Sequence, residues 1–379
     1  MSFYDKNFRL GILGGGQLGR MFIQEAINYN LNTYVLDPSP DAPCSSIATE
    51  FQCGDFKDYQ TVLDFGSKVD VVTIEIEHVN VEALKKLQSM GKKVFPQPEV
   101  LEIVKDKGLQ KEFYVKNNIP TAGFRLINNK KEIDQHLDEF PFMQKARTGG
   151  YDGKGVTPLR NSDDLNNAFD CPSVLEKMVP FEMEIAVTVA RNENGDVETF
   201  PVVELDFNPE ANLVEYLYSP ARISDDIKEK ARKIAIDTAN AFNLVGLLAV
   251  EMFLTPDGEI LVNEVAPRTH NSGHHTIEGN ITSQFEQHLR SVLNLPLGKT
   301  DIVLPSVMIN LLGEKGFSGP AVYDGLETVL KEPGVHVHLY GKTETKPFRK
   351  MGHTTCTGNN LEDALRKAKF VQKNLKVNA

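Results

Sequence analysis

Two glutamates on neighbouring strands carry the sharpest chemical signal in the chain. Leu247–Leu254 and Glu259–Val265 read as strands flanking Thr255-Pro256-Asp257-Gly258, and Asp-Gly favours a two-residue hairpin loop. Such a loop sets Glu251 directly opposite Glu264 on one sheet face, with Cβ atoms about 4.5–5.5 Å apart, where like charges repel. A divalent cation between them removes the penalty. Hard carboxylate oxygens suit Mg²⁺, which is usually shared with substrate phosphates. Two exposed acids on a wet sheet face are the plain alternative, and a one-residue slip at Pro256 separates the pair. Asn263-Glu264 leads straight into Arg268-Thr269-His270-Asn271-Ser272-Gly273-His274-His275, a polar, partly basic loop better suited to an anion than to a core. Its histidines could suggest zinc, but no carboxylate–histidine helix spacing accompanies them.

A second stretch points to phosphate. Lys145-Ala146-Arg147-Thr148-Gly149-Gly150-Tyr151-Asp152-Gly153-Lys154-Gly155-Val156 packs glycines and cations closely. It lacks the Walker spacing, yet its amides and Lys154 can fold over a polyphosphate. Lys145 ends the predicted strand Phe142–Lys145, where its ammonium reaches an α- or β-phosphate. A solvated Gly-rich hairpin is the alternative, and the density of cations favours phosphate. Further on, Val174–Val179 reads as a strand whose backbone, with Glu176, can receive an adenine amino group and ribose hydroxyls; an ordinary edge strand fits the same residues.

A third feature is less specific. Gly14-Gly15-Gly16-Gln17-Leu18-Gly19 follows a strand, opens a helix and is followed by Asp37 at the end of the next strand. This is the context of a dinucleotide fingerprint. Its physical content is narrower: amides at a helix N-terminus favour an anion. A nicotinamide cofactor, another polar ligand, and a tight turn with no ligand all remain open on this loop alone.

The elements that must position these groups follow from apolar patterning. Continuous apolar runs at Phe8–Leu13 and Val69–Ile74, with Asn32–Leu36 and Lys93–Phe95, alternate with helical spacing over Leu18–Asn30 and Val81–Met90. That alternation predicts a parallel sheet covered on both faces. Asp106 is a candidate N-cap for a helix over Gly108–Asn117, and Asp225–Phe242 reads as a long helix. After Pro296 come strand-like Ser306–Leu312, Val335–Tyr340 and Gly352–Cys356, then a terminal helix from near Asn360. Three units are expected, 1–98, 99–295 and 296–379.

Composition narrows the partners. The 379 residues include 41 Lys+Arg against 52 Asp+Glu, a net charge of −11. This argues against extended nucleic-acid or anionic-membrane surfaces, which need concentrated cations, but leaves room for a local basic pocket. No run approaches the length of a membrane span, and the opening residues lack the form of a signal peptide. Four scattered cysteines without metal spacing suit reduced thiols in the cytoplasm.

Taken in order, the phosphate loop, the strand-end acid and the paired carboxylates preceded by Asn resemble the ATP-grasp ligases. Gly14–Arg20, Glu75-Ile76-Glu77-His78, Arg147–Lys154 and Ala266–His274 together resemble the 5-(carboxyamino)imidazole ribonucleotide synthase family of purine biosynthesis. The resemblance spans the chain. It implies an α/β ATP-grasp fold with an N-terminal Rossmann-like domain and a small C-terminal α+β domain. The same resemblance implies that the first unit is a parallel α/β domain on the substrate side, the second holds ATP and Mg²⁺, and the third is a small domain completing the substrate site. It also implies ATP- and bicarbonate-dependent carboxylation of the amine of aminoimidazole ribonucleotide through carboxyphosphate, by a cytoplasmic homodimer. ATP would be held by Lys107, Lys145, the loop Gly150, Tyr151, Asp152, Gly153, Lys154, Gly155 and Val156, the strand end Glu176, Lys177, Met178 and Val179, Glu184 on the ribose, Asn263 and Glu264, with a looser contact at Phe207. Mg²⁺ would sit on Glu251 and Glu264. The ribonucleotide would meet Gln17, Leu18, Glu75 (or Glu77) and Asn271, its phosphate facing Lys342, Arg349 and Lys350. Tyr151, Lys154, Arg268 and His270 would surround bicarbonate. Lys154 stands where the family often has Arg, which keeps the charge but loses a bidentate grip. A formate-dependent glycinamide ribonucleotide transformylase and a nicotinamide oxidoreductase are the rival readings.

Overall fold

The computed structural model describes residues 3, 5–150, 155–208 and 213–379. Its first unit is a five-stranded sheet ordered Glu50–Cys53, Asn32–Asp37, Arg9–Leu13, Val71–Ile74, Lys93–Val94, with every pair parallel. Val71–Ile74 is buried throughout, as a strand covered on both faces must be. Helix Gln17–Asn28 turns Leu18, Met21, Phe22 and Ala26 inward. Glu50–Cys53 and the helix Tyr59–Ser67 lie between the expected second and third strands; only Val62, Phe65 and Gly66 of that helix are buried, too sparse a pattern to stand out in the sequence.

The middle of the chain holds a four-stranded antiparallel sheet, ordered Phe124–Ile127, Ser173–Lys177, Phe142–Ala146, Val156–Leu159. A larger, nine-stranded antiparallel sheet runs from Ile260–Ala266 through Gly246–Leu254, Met183–Arg191, Val203–Asn208 and Leu213–Ser219. It then continues into Ser306–Leu312, Lys350–Thr357 and Val335–Leu339, and the ninth strand, Val197–Thr199, pairs with Met183–Arg191 off this path. Ser219 pairs with Ser306 and Leu217 with Met308, so the residues beyond 296 extend the central sheet, and they add two small two-stranded sheets of their own. Helix Asp225–Ala241 buries Ala231, Ala235 and Ala239 against this sheet, and helix Leu361–Asn374 covers its far end with Ala364, Ala368 and Val371.

The three parts share a core. Phe285, Leu289 and Val292 of helix Gln284–Val292, together with Tyr340, belong to the same buried cluster as Leu10, Ile12, Met21 and Phe22. Within it Thr73 Oγ1 lies 2.9 Å from His288 Nε2, and burial holds that imidazole neutral, down to about 4. All four cysteines are free. Among the described residues no helix is long and apolar enough to cross a membrane.

Candidate active site

Two adjoining cavities open where the parts meet, of about 360 Å³ and about 450 Å³. Lys107, Val156, Glu264, His270, Asn271 and Lys350 line both. The smaller cavity gathers most of the expected nucleotide residues: Lys107, Lys145, Val156, Glu176 to Val179, Glu184, Phe207, Glu251, Asn263 and Glu264. Gly150 lines the larger one. Tyr151, Asp152, Gly153 and Lys154 lie outside the described residues.

Glu251 does pair with Glu264, by a route the two-residue loop did not anticipate. Leu254 faces Ile260 and Met252 faces Val262, one residue out of that register. Pro256, Asp257 and Gly258 form a three-residue loop, closed by Thr255 N–H to Glu259 O at 2.9 Å and Gly258 N–H to Thr255 O at 2.9 Å. Gly258 takes φ +81, the left-handed position such loops demand. A β-bulge between Glu251 and Met252 then adds Asn263 and restores the acid pair. Bulges re-aim side chains: consecutive Asn263 and Glu264, which a regular strand sends to opposite faces, both line the nucleotide-side cavity.

Lysines meet these groups. Lys107 Nζ donates to Glu264 Oε2 at 3.0 Å, and Lys145 Nζ donates to Asn263 Oδ1 at 2.7 Å and to Glu176 Oε1 at 3.0 Å. Lys107 sits in the first turn of helix Lys107–Lys116, whose N-cap Asp106 accepts from Gly108 and Leu109 N–H. The Asp106 carboxylate also takes Arg147 in two parallel bonds of 2.8 and 2.7 Å, fastening the root of the glycine-rich loop to the helix carrying Lys107. Lys107 beside Glu264 holds that carboxyl low, against the effect of burial and with help from Lys145. Burial, then Glu264, pushes Glu251 up. Lys107 bonds Glu264 directly, whereas Glu251 is buried beside the Glu264 charge, which is why the second holds its proton more tightly. Glu184 is raised to about 7, chiefly by burial.

Glu176 lines the cavity, and its carboxylate, 3% exposed, lies between Lys111 and Lys145. Sequence reasoning also passed over the apolar lining. Phe181 stacks on Phe253 with centroids 4.6 Å apart, and Met143, Leu213 and Val214 join them on the cavity. Phe253 shares the face of Glu251 two residues earlier, a period-two signal that was available.

The larger cavity is lined by Gln17, Leu18, Glu75, Glu77, Arg268 and His274, among others. The first glycine loop stands over it without free donors at its start. Gly15 N–H donates to Asp37 Oδ2 at 2.7 Å, and Gly16 N–H donates to Glu75. A Cβ on Gly16 would displace the Glu75 carboxylate, so glycine lets that carboxylate approach the loop. A dinucleotide pyrophosphate here would meet two carboxylates, which removes the nicotinamide reading. Burial pushes Glu75 up to about 7, opposed by the Gly16 N–H and by Arg268. Glu77 has a different partner: its Oε1 lies 2.8 Å from Arg268 Nε, whose N–H is not aimed at it. Arg268 also donates from Nη1 to Thr269 O.

The adjoining loop is held from behind. Gln284 accepts from His270 N–H at 2.9 Å and donates to His270 O at 2.8 Å. His270 Nδ1 lies 3.0 Å from Ser272 Oγ and 3.7 Å from Glu251 Oε1. His274, kept neutral mainly by burial, stacks on His353 at 4.6 Å. Of the expected phosphate cations, Lys350 lines both cavities, and Lys342 donates to Lys350 O and is felt by Glu75. Neither Lys342 nor Arg349 lines either cavity, and Arg349 Nη1 donates to Glu344 O at 2.6 Å.

An open α/β unit joined to an antiparallel sheet pair, with lysines and paired acids between the sheets, defines the ATP-grasp class. Residues 112–285 match the ATP-grasp domain, 8–105 the ribonucleotide synthetase preATP-grasp domain and 306–367 the phosphoribosylaminoimidazole carboxylase C-terminal domain. The chain is 38% identical over 354 residues to N5-carboxyaminoimidazole ribonucleotide synthase of Bacillus subtilis, covering 91% of this chain and 90% of that one. Among solved structures it is similar to N5-carboxyaminoimidazole ribonucleotide synthetase from Thermotoga maritima, with TM-score 0.91, 45% identity and coverage of 98% and 99%. It is likewise similar to the Aspergillus clavatus N5-carboxyaminoimidazole synthase in complex with ADP and 5-aminoimidazole ribonucleotide, with TM-score 0.88, 34% identity and coverage of 97% and 99%. The chain spans about two thirds of the length of the fungal phosphoribosylaminoimidazole carboxylases it also matches. It belongs to the N5-carboxyaminoimidazole ribonucleotide synthase family of ATP-grasp ligases.

Proposed function

We propose that this chain uses ATP and bicarbonate to carboxylate the exocyclic amine of 5-aminoimidazole ribonucleotide, releasing ADP and phosphate, in purine biosynthesis. The observation that carries the reading is the junction of the two cavities at Lys107, Glu264, His270, Asn271 and Lys350. A nucleotide in the smaller cavity has its γ-phosphate there, and a ribonucleotide in the larger one has its amine within reach. The adenine lies on the apolar lining at Phe181 and Phe253, Glu184 receives ribose hydroxyls, and Lys107 and Lys145 take the phosphates. Glu251 and Glu264 suit Mg²⁺: they are hard oxygens set face to face, with Asn263 beside them. When bound, the ion offsets charge on the β- and γ-phosphoryl oxygens.

Arg268, His270 and Asn271 hold bicarbonate. One of its oxygens attacks the γ-phosphorus and the bond to ADP breaks, with Lys107 and Lys145 neutralising the charge that develops. The resulting carboxyphosphate separates into CO₂ and phosphate. The amine attacks the CO₂ carbon and its proton passes to Glu75, whose carboxyl is matched to that task near neutral pH. Glu77, occupied by Arg268, is the less suitable acceptor. Gln17 and Leu18 hold the imidazole side, and Lys350 with Lys342 meets the ribonucleotide phosphate. A homodimer in the cytoplasm, without nucleic-acid or membrane partners, accords with the family and with the net charge of −11.

The test is ADP release. Release that requires bicarbonate and rises on adding aminoimidazole ribonucleotide is expected. Robust turnover with formate and glycinamide ribonucleotide instead would overturn the assignment.

A further inference from the structure

Lys111 is a lysine with 4% of its side chain exposed, and it lines neither cavity. Burying an ammonium costs several kcal/mol unless its partners are well placed, and burial pulls this one down to about 8 against the pull of Glu176. Its partners form a closed path. Lys111 Nζ lies 2.5 Å from Glu176 Oε2, and Glu176 Oε1 accepts from Lys145, which in turn donates to Asn263 Oδ1. On its other side Lys111 donates to Thr121 Oγ1 at 2.6 Å, and Thr121 donates to Val262 O at 2.8 Å. The path therefore begins and ends on consecutive residues, Val262 and Asn263, at the bulge that turns Asn263 and Glu264 toward the nucleotide side. Five separate segments are tied by it: the helix Lys107–Lys116, the connection at Thr121, the strands Phe142–Ala146 and Ser173–Lys177, and the strand Ile260–Ala266.

We propose that Lys111 is a positioning residue for nucleotide binding: through Glu176 it fixes Lys145, and through Thr121 it anchors the bulge that presents Asn263 and Glu264, without touching the nucleotide itself. The inference rests on ATP occupying the smaller cavity as read above. An apolar residue of the same length would fill the space and leave Glu176 with Lys145 alone. The carboxylate would then draw that ammonium back from the phosphates.

The experiment is calorimetric titration of the full chain with ATP and Mg²⁺, alongside steady-state kinetics. Lys111→Met is expected to weaken ATP binding and lower kcat/KM for ATP by about 10–100-fold, the usual effect of losing a residue that orients a ligand group. KM for the ribonucleotide should stay within about twofold, a split that general loosening of the fold would not produce. Thr121→Val keeps the Lys111–Glu176 ion pair and removes the hydroxyl that links Lys111 to Val262. It is expected to weaken ATP binding by about threefold or more, the worth of one hydrogen bond. A folded Lys111→Met protein that binds ATP as wild type does overturns the proposal. Should that variant fail to fold, unchanged ATP affinity in Thr121→Val overturns it equally. The binding measurement needs no ribonucleotide or bicarbonate, so a failure of the carboxylation reading shows separately, as wild-type protein that binds ATP without turnover.

Discussion

Glu264 and Glu75 are both glutamates at the edge of an open cavity, and their carboxyls are held at opposite ends of the acid range. Glu264 is kept ionised by Lys107 and Lys145. Burial drives Glu75 up to about 7, and the Gly16 amide with the charges of Arg268 and Lys342 recovers only part of the loss. The nucleotide side is thus assembled from opposite charges already in contact, ready to be exchanged for phosphates and a divalent ion. The ribonucleotide side keeps a carboxyl whose proton comes and goes near neutral pH. One region handles charge and the other handles a proton, although the residue type is the same.

The largest expected effect comes from breaking the first arrangement. Glu264→Gln removes the acid that pairs with Lys107 and faces Glu251. ADP release should fall by at least about 10²–10³-fold, the scale of losing one preorganised charge at a phosphoryl-transfer site, while ribonucleotide binding persists. An unaffected rate would remove Glu264 from the metal site.

Glu75→Gln addresses the second arrangement through pH. The folded chain holds the Glu75 proton to about 7 and the unfolded chain only to 4.5. The folded state therefore binds more protons between those values, and its stability falls as pH rises through that window. In Glu75→Gln the decline of Tm across the window should be shallower than in wild type; Glu184, also raised to about 7, contributes equally to both proteins. The rise of kcat/KM for the ribonucleotide through about pH 7 should disappear in the variant. Equal pH profiles would leave Glu75 without its role as acceptor.

The smallest effect belongs to Glu77→Gln. It removes the charge beside Arg268 and should raise KM for bicarbonate by about tenfold or less, the scale of a residue acting through another, with ATP affinity unchanged. A shift in ATP affinity instead would show that the two cavities do not divide their tasks in this way.

Much of this division was legible in the sequence, because it depends on local pattern. The apolar alternation of the first hundred residues, the strand-end Lys145, the N-cap at Asp106 and the opposed Glu251 and Glu264 all follow from periodicity and turn chemistry. The acid pair was reached through an incorrect turn: the three-residue loop displaces the register by one and the bulge at Asn263 displaces it back. No propensity marks that bulge.

What the sequence by itself determined is the inventory of acids, cations and glycines and the elements that carry them, since helix and strand periods are local properties of the chain. Only the tertiary structure decided which groups are spent on one another. Glu176 on Lys111 and Lys145, Asp37 and Glu75 on the glycine-loop amides, and Glu77 on Arg268 are partnerships between segments far apart in the chain. Burial and neighbouring charge, which exist only after folding, then set whether each carboxyl holds a metal, orders a lysine or accepts a proton.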